Sequence, residues 1–465
     1  PDTLLTLGAD YQDSDPKGSS WTGTRTIFDP AGNKLDLPRS FNNGPKWSSW
    51  EQYSRTLFAT LEHNFDNGWV TKGQYNHQIN GYDAPLGYIS QDTLSASSIF
   101  ARKYTGETTS DSLDVYASGP FELFGREHQL VVGQSLSISK WKGKDYGSAT
   151  YFDNSYDFYK WHGEAIKPLW NQPTKINDET TRQTGSYITG RFSLMDDLHL
   201  LLGTRIANYQ VTGTSDTQES GKVVPYAGLT YDLNDNFTAY ASYTEIFQPQ
   251  TQYRDRTRTM LDPNEGKNYE LGLKGEFFDG RLNASLAYFE VHEENRPIAD
   301  TAYNSQPGVD YSYIGTKTQT KGYEAEISGE LSPGWQLQAG YTHKIARDDD
   351  KKKVATWEPE DQLSFYTSYK LQGRLDKLTL GGGARWQAAG WQNVNNPGTR
   401  QSEKFTQDPY WLVDVMARYQ LTENLSATLN VNNLFDKAYY TNIGFYDSAY
   451  YGDPRNVMVT TRWDF

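Results

Sequence analysis

The feature that most constrains the fold of this 465-residue chain is a two-residue alternation of apolar and polar side chains. In the final run, one face carries Val457, Val459, Thr461, Trp463 and Phe465, and the other carries Met458, Thr460, Arg462 and Asp464. Side chains of a β-strand point alternately to opposite faces, so such runs predict strands with one apolar face. A soluble β-protein would bury that face in a core, whereas a transmembrane barrel would turn it toward lipid.

The connections between the runs favour the barrel. Short polar connectors, rich in residues that favour turns, recur at 65–68, 124–127, 195–197, 233–236, 277–280, 331–334, 371–374 and 421–424. Long polar segments rich in aromatic residues lie between them, at 16–47, 84–96, 142–182, 249–267, 296–311 and 391–408. This alternation predicts an all-β fold, an antiparallel transmembrane β-barrel with about 18 strands, short turns inside the cell envelope and long loops outside.

The composition agrees with this prediction. Only 36% of the residues are hydrophobic, but 14% are aromatic, including 34 Tyr and 13 Trp. We expect aromatic residues near strand ends to form the interfacial girdles of a barrel; they are Trp69, Tyr116, Tyr187, Tyr240, Tyr269, Tyr288, Trp335, Tyr369, Trp411 and Trp463. The structural alternative is a soluble sandwich with these rings in its core.

Several function classes are disfavoured. The chain has no Cys, which rules out disulfides and thiolate metal sites, and its formal net charge of -14 argues against a nucleic-acid partner. The seven His are scattered without a ligand spacing, and no nucleophile elbow, phosphate-binding loop or catalytic triad is present. We therefore expect no enzymatic activity, no metal site and no cofactor.

Several stretches of the sequence resemble a known family. Asn430–Tyr440 and Tyr450–Phe465 are similar to the C-terminal hairpin of TonB-dependent outer-membrane receptors. Tyr240–Gln250 and Leu261–Phe289 are similar to the middle of the siderophore-receptor branch of that family. Asn442–Asn456 is similar to receptors for ferripyoverdine and for ferric hydroxamates such as coprogen and rhodotorulic acid. The resemblance implies an outer-membrane location in a Gram-negative bacterium and TonB-dependent import of a ferric siderophore to the periplasm.

The family has a 22-stranded barrel filled by an N-terminal plug. On that basis, residues 1–465 are expected to be the C-terminal part of the barrel, without the plug and the first strands. The resemblance also implies partners: TonB–ExbB–ExbD through the missing N-terminal part, outer-membrane lipid and lipopolysaccharide, and the barrel-assembly machinery reading Phe465. Iron would enter only as the siderophore chelate.

Candidate ligand-binding residues are aromatic, because an iron-loaded siderophore needs flat walls and hydrogen-bonding groups but no further metal ligand. The candidates in external segments are Trp47, Trp50, Tyr82, Tyr88, Trp161, Trp391, Phe445 and Tyr446. Each of these could instead be a girdle residue or pack within a loop. The charge run Arg347–Lys353 is expected to be a solvated loop tip, with a contact to lipopolysaccharide phosphates or to an anionic ligand as its alternative.

Other functions remain open at this point. The chain could belong to a passive porin, to a TonB-dependent receptor for a substrate other than a siderophore, or to an outer-membrane lipase or protease. The long aromatic loops disfavour the porin, and the missing nucleophile disfavours the enzyme.

Overall fold

The computed structural model describes residues 2–152, 156–304 and 306–464, and within them nearly all of the regular secondary structure is β-strand. The strands are β1 (Thr3–Ser14), β2 (Arg25–Thr26), β3 (Glu51–Asn64), β4 (Val70–Thr93), β5 (Ala96–Leu123), β6 (Arg126–Phe152), β7 (Lys175–Ser193), β8 (Leu198–Gly213), β9 (Thr217–Asp232), β10 (Phe237–Gln248), β11 (Asn264–Phe277), β12 (Leu282–Ala299), β13 (Tyr313–Ser332), β14 (Trp335–Asp348), β15 (Asp361–Lys370), β16 (Leu378–Gln387), β17 (Gly390–Asn396), β18 (Gln401–Gln407), β19 (Tyr410–Gln420), β20 (Leu425–Asn432), β21 (Tyr440–Phe445), β22 (Ser448–Tyr451) and β23 (Asn456–Trp463). One short α-helix (Thr301–Asn304) and two 3-10 turns (Phe158–Lys160 and Gly373–Leu375) complete the elements. Among the described residues, no helix has the length and apolar character needed to cross a membrane.

Eighteen strands form one antiparallel sheet, as the sequence predicted. Each strand pairs with the next one along the chain, from β1 with β3 through to β20 with β23, while β17–β18 and β2–β22–β21 form two small separate sheets. All eight predicted short connectors lie at one end of the large sheet, and the long connections lie at the other. In the described part of the chain, β1 and β23 are the two edges of this sheet.

The sheet curls strongly on itself. Eighteen strands laid flat would separate its edges by about 80 Å. However, Arg25 in the loop after β1 pairs with Ala449 in the loop before β23. Residues 15–24 join Arg25 to the end of β1, and residues 450–455 join Ala449 to the start of β23. Fully extended, these two segments together could span only about 60 Å. The two edges must therefore approach each other, so that the sheet curls into a barrel shape although no described residue of β1 pairs with one of β23.

The strand register separates a lipid face from an inner face. Leu429 on β20 lies between Val459 and Ala417 in one apolar row. Leu271 on β11 and Leu286 on β12 belong to similar apolar rows of the same face, in a different part of the sheet. These leucines are exposed although they are apolar, which is expected of side chains that contact lipid. The intervening side chains are mostly polar and face inward.

The register corrects part of the girdle prediction. Tyr116, Tyr187 and Tyr240 alternate with the apolar rows and lie on the inner face. Tyr187 and Tyr240 lie flat across cross-strand glycines, where an added Cβ would come within 2.3 Å and 2.4 Å of the rings of Tyr187 and Tyr240, respectively. They therefore shape the inner wall, while Tyr269 shares its face of β11 with Leu271, and Tyr288 pairs with that leucine, so both tyrosines lie on the lipid-facing side as expected.

Several segments that the sequence analysis predicted to be loops are extensions of strands. Nearly all of 84–96 belongs to β4 and β5, with only Leu94 and Ser95 between the strands, and 142–182 contains the ends of β6 and β7. A barrel strand needs about 10 residues to cross a membrane, but β4, β5 and β6 have 24, 28 and 27. The polar, aromatic sequence therefore reflects strands that continue beyond the membrane as a tall outer wall.

The long connections pack together above the sheet. One cluster joins the loop after β1 to the β4–β5 hairpin and the loop after β6; its buried members are Leu35, Leu37, Ile89, Ile99, Phe158 and Trp161. A second cluster joins the loop after β1 to β17 and to the β21–β22 hairpin; its buried members are Ile27, Phe28, Val394, Ile443 and Ala449. We call this assembly of the loop after β1, the loop after β6, the β17–β18 hairpin and the β21–β22 hairpin the external cap.

Polar contacts join the loop after β1 to the segment between β20 and β23, which lie at the two edges of the sheet. Arg25 is buried, donates to the carbonyl oxygens of Leu35 and Leu37 at 2.5 Å and 3.3 Å, and lies 5.0 Å from the ring centroid of Tyr451. The guanidinium of Arg39 donates to both carboxylate oxygens of Asp436 at 3.1 Å and 2.7 Å. The first and last long loops are thus one unit.

Candidate functional site

Aromatic side chains gather on the inner face of the β4–β5 hairpin, beyond the membrane. Tyr88 on β4 pairs directly with Phe100 on β5, and their ring centroids are 5.3 Å apart. Tyr82 is six residues before Tyr88 on the same strand, so the two-residue repeat places both tyrosines on one face. The hairpin therefore presents a wall of rings toward the space enclosed by the sheet.

Two loop residues complete this wall. Trp21, in the loop after β1, lies 5.0 Å from Phe100, 6.3 Å from Tyr88 and 4.6 Å from Tyr446 between ring centroids. Its indole Nε1 donates to the hydroxyl oxygen of Tyr104 at 2.9 Å. We call Trp21, Tyr88, Phe100, Tyr104 and Tyr446 the aromatic site. Tyr446 is exposed and the other four residues are partly buried. Part of the surface of each residue is therefore accessible.

Tyr446 is held by an unusual backbone. Tyr446 and Asp447 have φ values of 48° and 52° and form the two-residue turn between β21 and β22. Positive φ at both central positions matches the type I′ hairpin turn but is costly for residues other than Gly, Asn and Asp. The carboxylate of Asp447 accepts from the backbone N–H of Asn395 at 2.7 Å, which fixes the turn against β17. Strain of this kind persists only where surrounding contacts determine the conformation.

A cation lies beside the rings. The guanidinium of Arg102 lies 5.3 Å from the ring centroid of Tyr104, and its Nε donates to Asp145 at 2.9 Å. Asp145 is buried and also accepts from the backbone N–H of Gly147 at 3.1 Å. Because Nε and Nη2 of Arg102 both donate to this carboxylate, the aromatic site combines flat apolar faces with an Arg102–Asp145 ion pair.

The inner wall continues toward the membrane through two further rings. A Cβ added to Gly106 would lie 2.6 Å from the ring of Tyr82, and one added to Gly143 would lie 2.7 Å from the ring of Trp141. Both rings therefore lie flat over backbone that only glycine allows. This packing gives a smooth wall below the aromatic site.

The structure brings only some of the predicted residues together. Tyr88 and Tyr446 both lie in the aromatic site, and Tyr82 lies on the same wall nearer the membrane. Trp47 packs on Trp170 with centroids 6.3 Å apart, and Trp161 is buried in the first cluster of the cap.

The remaining candidates occupy separate positions. Trp50 is exposed just before β3, and Trp391 lies on β17 with the ammonium of Lys404 4.5 Å from its ring centroid. The backbone of Phe445 belongs to β21, but its side chain lies outside the described residues. Whether any of these residues contacts a ligand stays a prediction.

The sequence analysis missed Trp21, Phe100, Arg102, Tyr104 and Trp141. A turn at Leu94 and Ser95 alone would pair Tyr88 with Ala101, and the irregularity between Gln91 and Thr93 shifts the pairing to Phe100, so the local turn signal was not sufficient to find this contact. Trp21 could not be found in this way, because its position depends on how the cap docks. Within the described ranges, no group of three or more His, Asp or Glu side chains could hold a metal ion.

The chain matches the family described as TonB dependent receptor-like, beta-barrel, over residues 1–434. It is 62% identical to the ferripyoverdine receptor of Pseudomonas aeruginosa and 37% identical to the ferric-pyoverdine BN7/BN8 receptor of Pseudomonas putida. Both similarities cover 100% of this chain and 58% of the relative. The solved structure of P. aeruginosa FpvA bound to a heterologous pyoverdine and iron matches with a TM-score of 0.96 at 61% identity, over 100% of this chain and 63% of that one.

Proposed function

Because this chain belongs to the TonB-dependent receptor-like β-barrel family, we propose that it is the barrel part of a receptor that binds a ferric siderophore and imports it. The chain spans about 58% of the length of the curated relatives it matches. Its relatives are receptors, and its fold and apolar outer rows place it in the outer membrane of a Gram-negative bacterium. Transport belongs to the whole protein.

The aromatic site is the observation that carries this proposal. A siderophore surrounds its iron completely, so recognition depends on stacking, shape and charge rather than on protein ligands to the metal. Trp21, Tyr88 and Phe100 offer ring faces for stacking, and Arg102, which is paired with Asp145, offers its remaining N–H groups as hydrogen-bond donors to the chelate. No resident cofactor is needed, because iron enters as cargo.

A pyoverdine-type siderophore is the ligand class we favour. The relatives at 62% and 37% identity are named as receptors for ferric pyoverdines. A hydroxamate is the second candidate, because the chain is also 28% identical to the ferrioxamine B receptor of Salmonella typhimurium. Both ligands present carbonyl and hydroxyl groups around iron, but only a pyoverdine adds an aromatic chromophore that can stack on the rings.

Import requires parts of the protein beyond these 465 residues. We propose that capture at the aromatic site is followed by movement of a plug, driven by the TonB–ExbB–ExbD complex, and by passage to the periplasm. Lipopolysaccharide would surround the outer wall, and the assembly machinery would read Phe465, which lies outside the described residues. A nucleic acid is not among the proposed partners.

Quenching of tryptophan fluorescence tests the proposal. The whole receptor in detergent would be titrated with ferric pyoverdine, ferric coprogen and iron-free pyoverdine. We expect saturable quenching by ferric pyoverdine at submicromolar concentration and weaker quenching by the other two. Tyr446→Ala should weaken binding, whereas Tyr159→Ala, an exposed ring elsewhere in the cap, should not. Folded protein that binds neither chelate would refute a siderophore ligand, and free solute conductance would favour the porin alternative.

A further inference from the structure

The β17–β18 hairpin lies between the two loops that bring Trp21 and Tyr446 into the aromatic site. It contributes no residue to that site itself. Val394 on β17 is only 1% exposed, because it packs in the second cluster of the cap with residues of the loop after β1 and of the β21–β22 hairpin. The β17–β18 hairpin therefore contacts the first and last long loops at once.

The turn of this hairpin is docked on the loop after β1. Asn396 is buried, and its side-chain amide donates to the carbonyl oxygen of Gly32 at 3.0 Å. A Cβ added to Gly398 would lie 2.0 Å from the carbonyl oxygen of Ala31, so only glycine allows the two backbones to approach this closely. The turn is thereby held against the loop that carries Trp21.

The edge of β17 that points away from β18 holds the β21–β22 hairpin. In an antiparallel pair, backbone N–H groups of alternate residues point toward the partner strand, and those between them point away. The N–H of Trp391 donates to the carbonyl oxygen of Thr356 at 2.9 Å, and the N–H of Asn395 donates to the carboxylate of Asp447 at 2.7 Å. The side-chain amide of Asn395 donates to the other oxygen of this carboxylate at 3.3 Å. Two donors of one residue therefore clamp Asp447.

The clamp acts on a strained turn. Tyr446 and Asp447 are its central residues, with φ values of 48° and 52°, and such a value is unfavourable for a tyrosine. In this conformation the ring of Tyr446 lies 4.6 Å from that of Trp21 between centroids. Relaxation of the turn to negative φ would redirect the side chain of Tyr446. Contact between the two rings therefore depends on the bonds that Asn395 makes to Asp447.

We propose that Asp447 is a positioning residue for siderophore binding, which holds Tyr446 in the aromatic site through its clamp to Asn395. Asp447 acts through the ring of Tyr446 and not by contact with the ligand. The β17–β18 hairpin, docked on both loops, then sets the distance between Tyr446 and Trp21. The inference rests on the proposed function, because a ferric siderophore is the ligand whose affinity it concerns.

The test replaces Asp447 in the whole receptor. Asp447→Gly removes the carboxylate, and glycine tolerates the positive φ, so this variant adds no strain to the turn. Because a hydrogen bond to a charged group contributes about ten-fold or more to an equilibrium, we expect its Kd for ferric pyoverdine to rise about ten-fold. Asp447→Asn keeps an acceptor oxygen and also tolerates positive φ, so its Kd should stay within about three-fold of the unmodified protein. Asp349→Gly removes an exposed carboxylate outside the external cap and should bind normally.

A double-mutant cycle shows whether Asp447 acts through Tyr446. If it does, Tyr446→Ala/Asp447→Gly should bind within about two-fold of Tyr446→Ala alone, because no ring is left to position. A double variant whose loss in affinity equals the product of the two single losses would overturn the positioning role.

Hydrogen exchange of the free receptor tests the clamp without a ligand. The amides of residues 446 and 447 should exchange at least about ten-fold faster in Asp447→Gly, but not in Asp349→Gly. Unchanged exchange would overturn the clamp. Faster exchange in Asp447→Gly, together with an unmodified receptor that binds no ferric pyoverdine, would support the clamp and refute the proposed function. Resistance of the unboiled barrel to dodecyl sulfate checks that each variant is folded.

Discussion

Replacement of Trp21 by alanine should separate the aromatic site from the rest of the external cap. Trp21 contacts three rings, at centroid distances of 5.0, 6.3 and 4.6 Å, and donates one hydrogen bond to Tyr104. Its removal therefore leaves Tyr88 and Tyr446 without the ring that lies between them.

The size of the effect follows from these contacts. An aromatic pair contributes about 0.5–1.5 kcal/mol beyond the area it buries, and a neutral hydrogen bond about 1 kcal/mol. Since part of this energy orders the free site rather than the complex, we expect about 1.5–3 kcal/mol weaker siderophore binding. That corresponds to an increase in Kd of about ten- to hundred-fold. Trp21→Phe should retain part of the stacking, so we expect its Kd to lie between those of the unmodified protein and of Trp21→Ala.

The assay is isothermal titration of the whole receptor with ferric pyoverdine. Trp335→Ala is the control, because this exposed tryptophan lies at the short-turn end, where its Nε1 donates to Thr367 at 2.8 Å. We expect the control to bind normally. A Kd for Trp21→Ala within two-fold of the unmodified protein would refute the reasoning that the aromatic site binds the ligand.

Three further changes test other parts of the structure. Hydrogen bonds from Arg39 and a backbone N–H hold the pKa of Asp436 at about 2, below its ordinary 3.8, so the stability that its carboxylate adds is fully present above pH 3.8 and is lost as pH falls through 2. Pepsin should therefore cut the last long loop of Asp436→Asn faster than that of the unmodified protein at pH 4, and this difference should shrink as pH falls toward 2. Ile99→Ala should lower the free energy of unfolding by about 2–4 kcal/mol in a urea titration, because Ile99 is fully buried, and an unchanged midpoint would contradict that role. Gly106→Ala should displace the ring of Tyr82 and weaken siderophore binding, whereas Gly73→Ala, with its nearest neighbour at 3.9 Å, should bind normally.

The sheet was predictable because each of its signals is local. The alternation in Val457–Trp463 and the turn residues at 421–424 each determine a strand or a hairpin without reference to distant parts of the chain. The same locality produced the error at 84–96. Beyond the membrane a strand needs no apolar face, so its polar, aromatic sequence looks like a loop.

The aromatic site was predictable only in part. Tyr88 and Tyr446 were found because tyrosines in external segments are sound candidates for any aromatic ligand. Their contact with Trp21 depends on the docking of two loops that are far apart in sequence. Trp161 was predicted to face the ligand but is buried in the external cap. The sequence of an external segment does not distinguish a ring that packs within the cap from a ring that faces the enclosed space.

The union of the first and last long loops has a consequence for the order of folding. The backbone N–H of Gly23 donates to the hydroxyl of Ser448 at 2.7 Å, across a sequence separation of 425 residues. Contacts between such distant residues form slowly, because a long loop must close before any of them is gained. Adjacent hairpins can form while the chain is still being inserted, but the loop after β1 gains these partners only once the hairpin before β23 is in place. Completion of the aromatic site is therefore coupled to arrival of the C-terminal strands, so a chain that stalls late in assembly is expected to have most of its inner wall but to lack the contact between Trp21 and Tyr446.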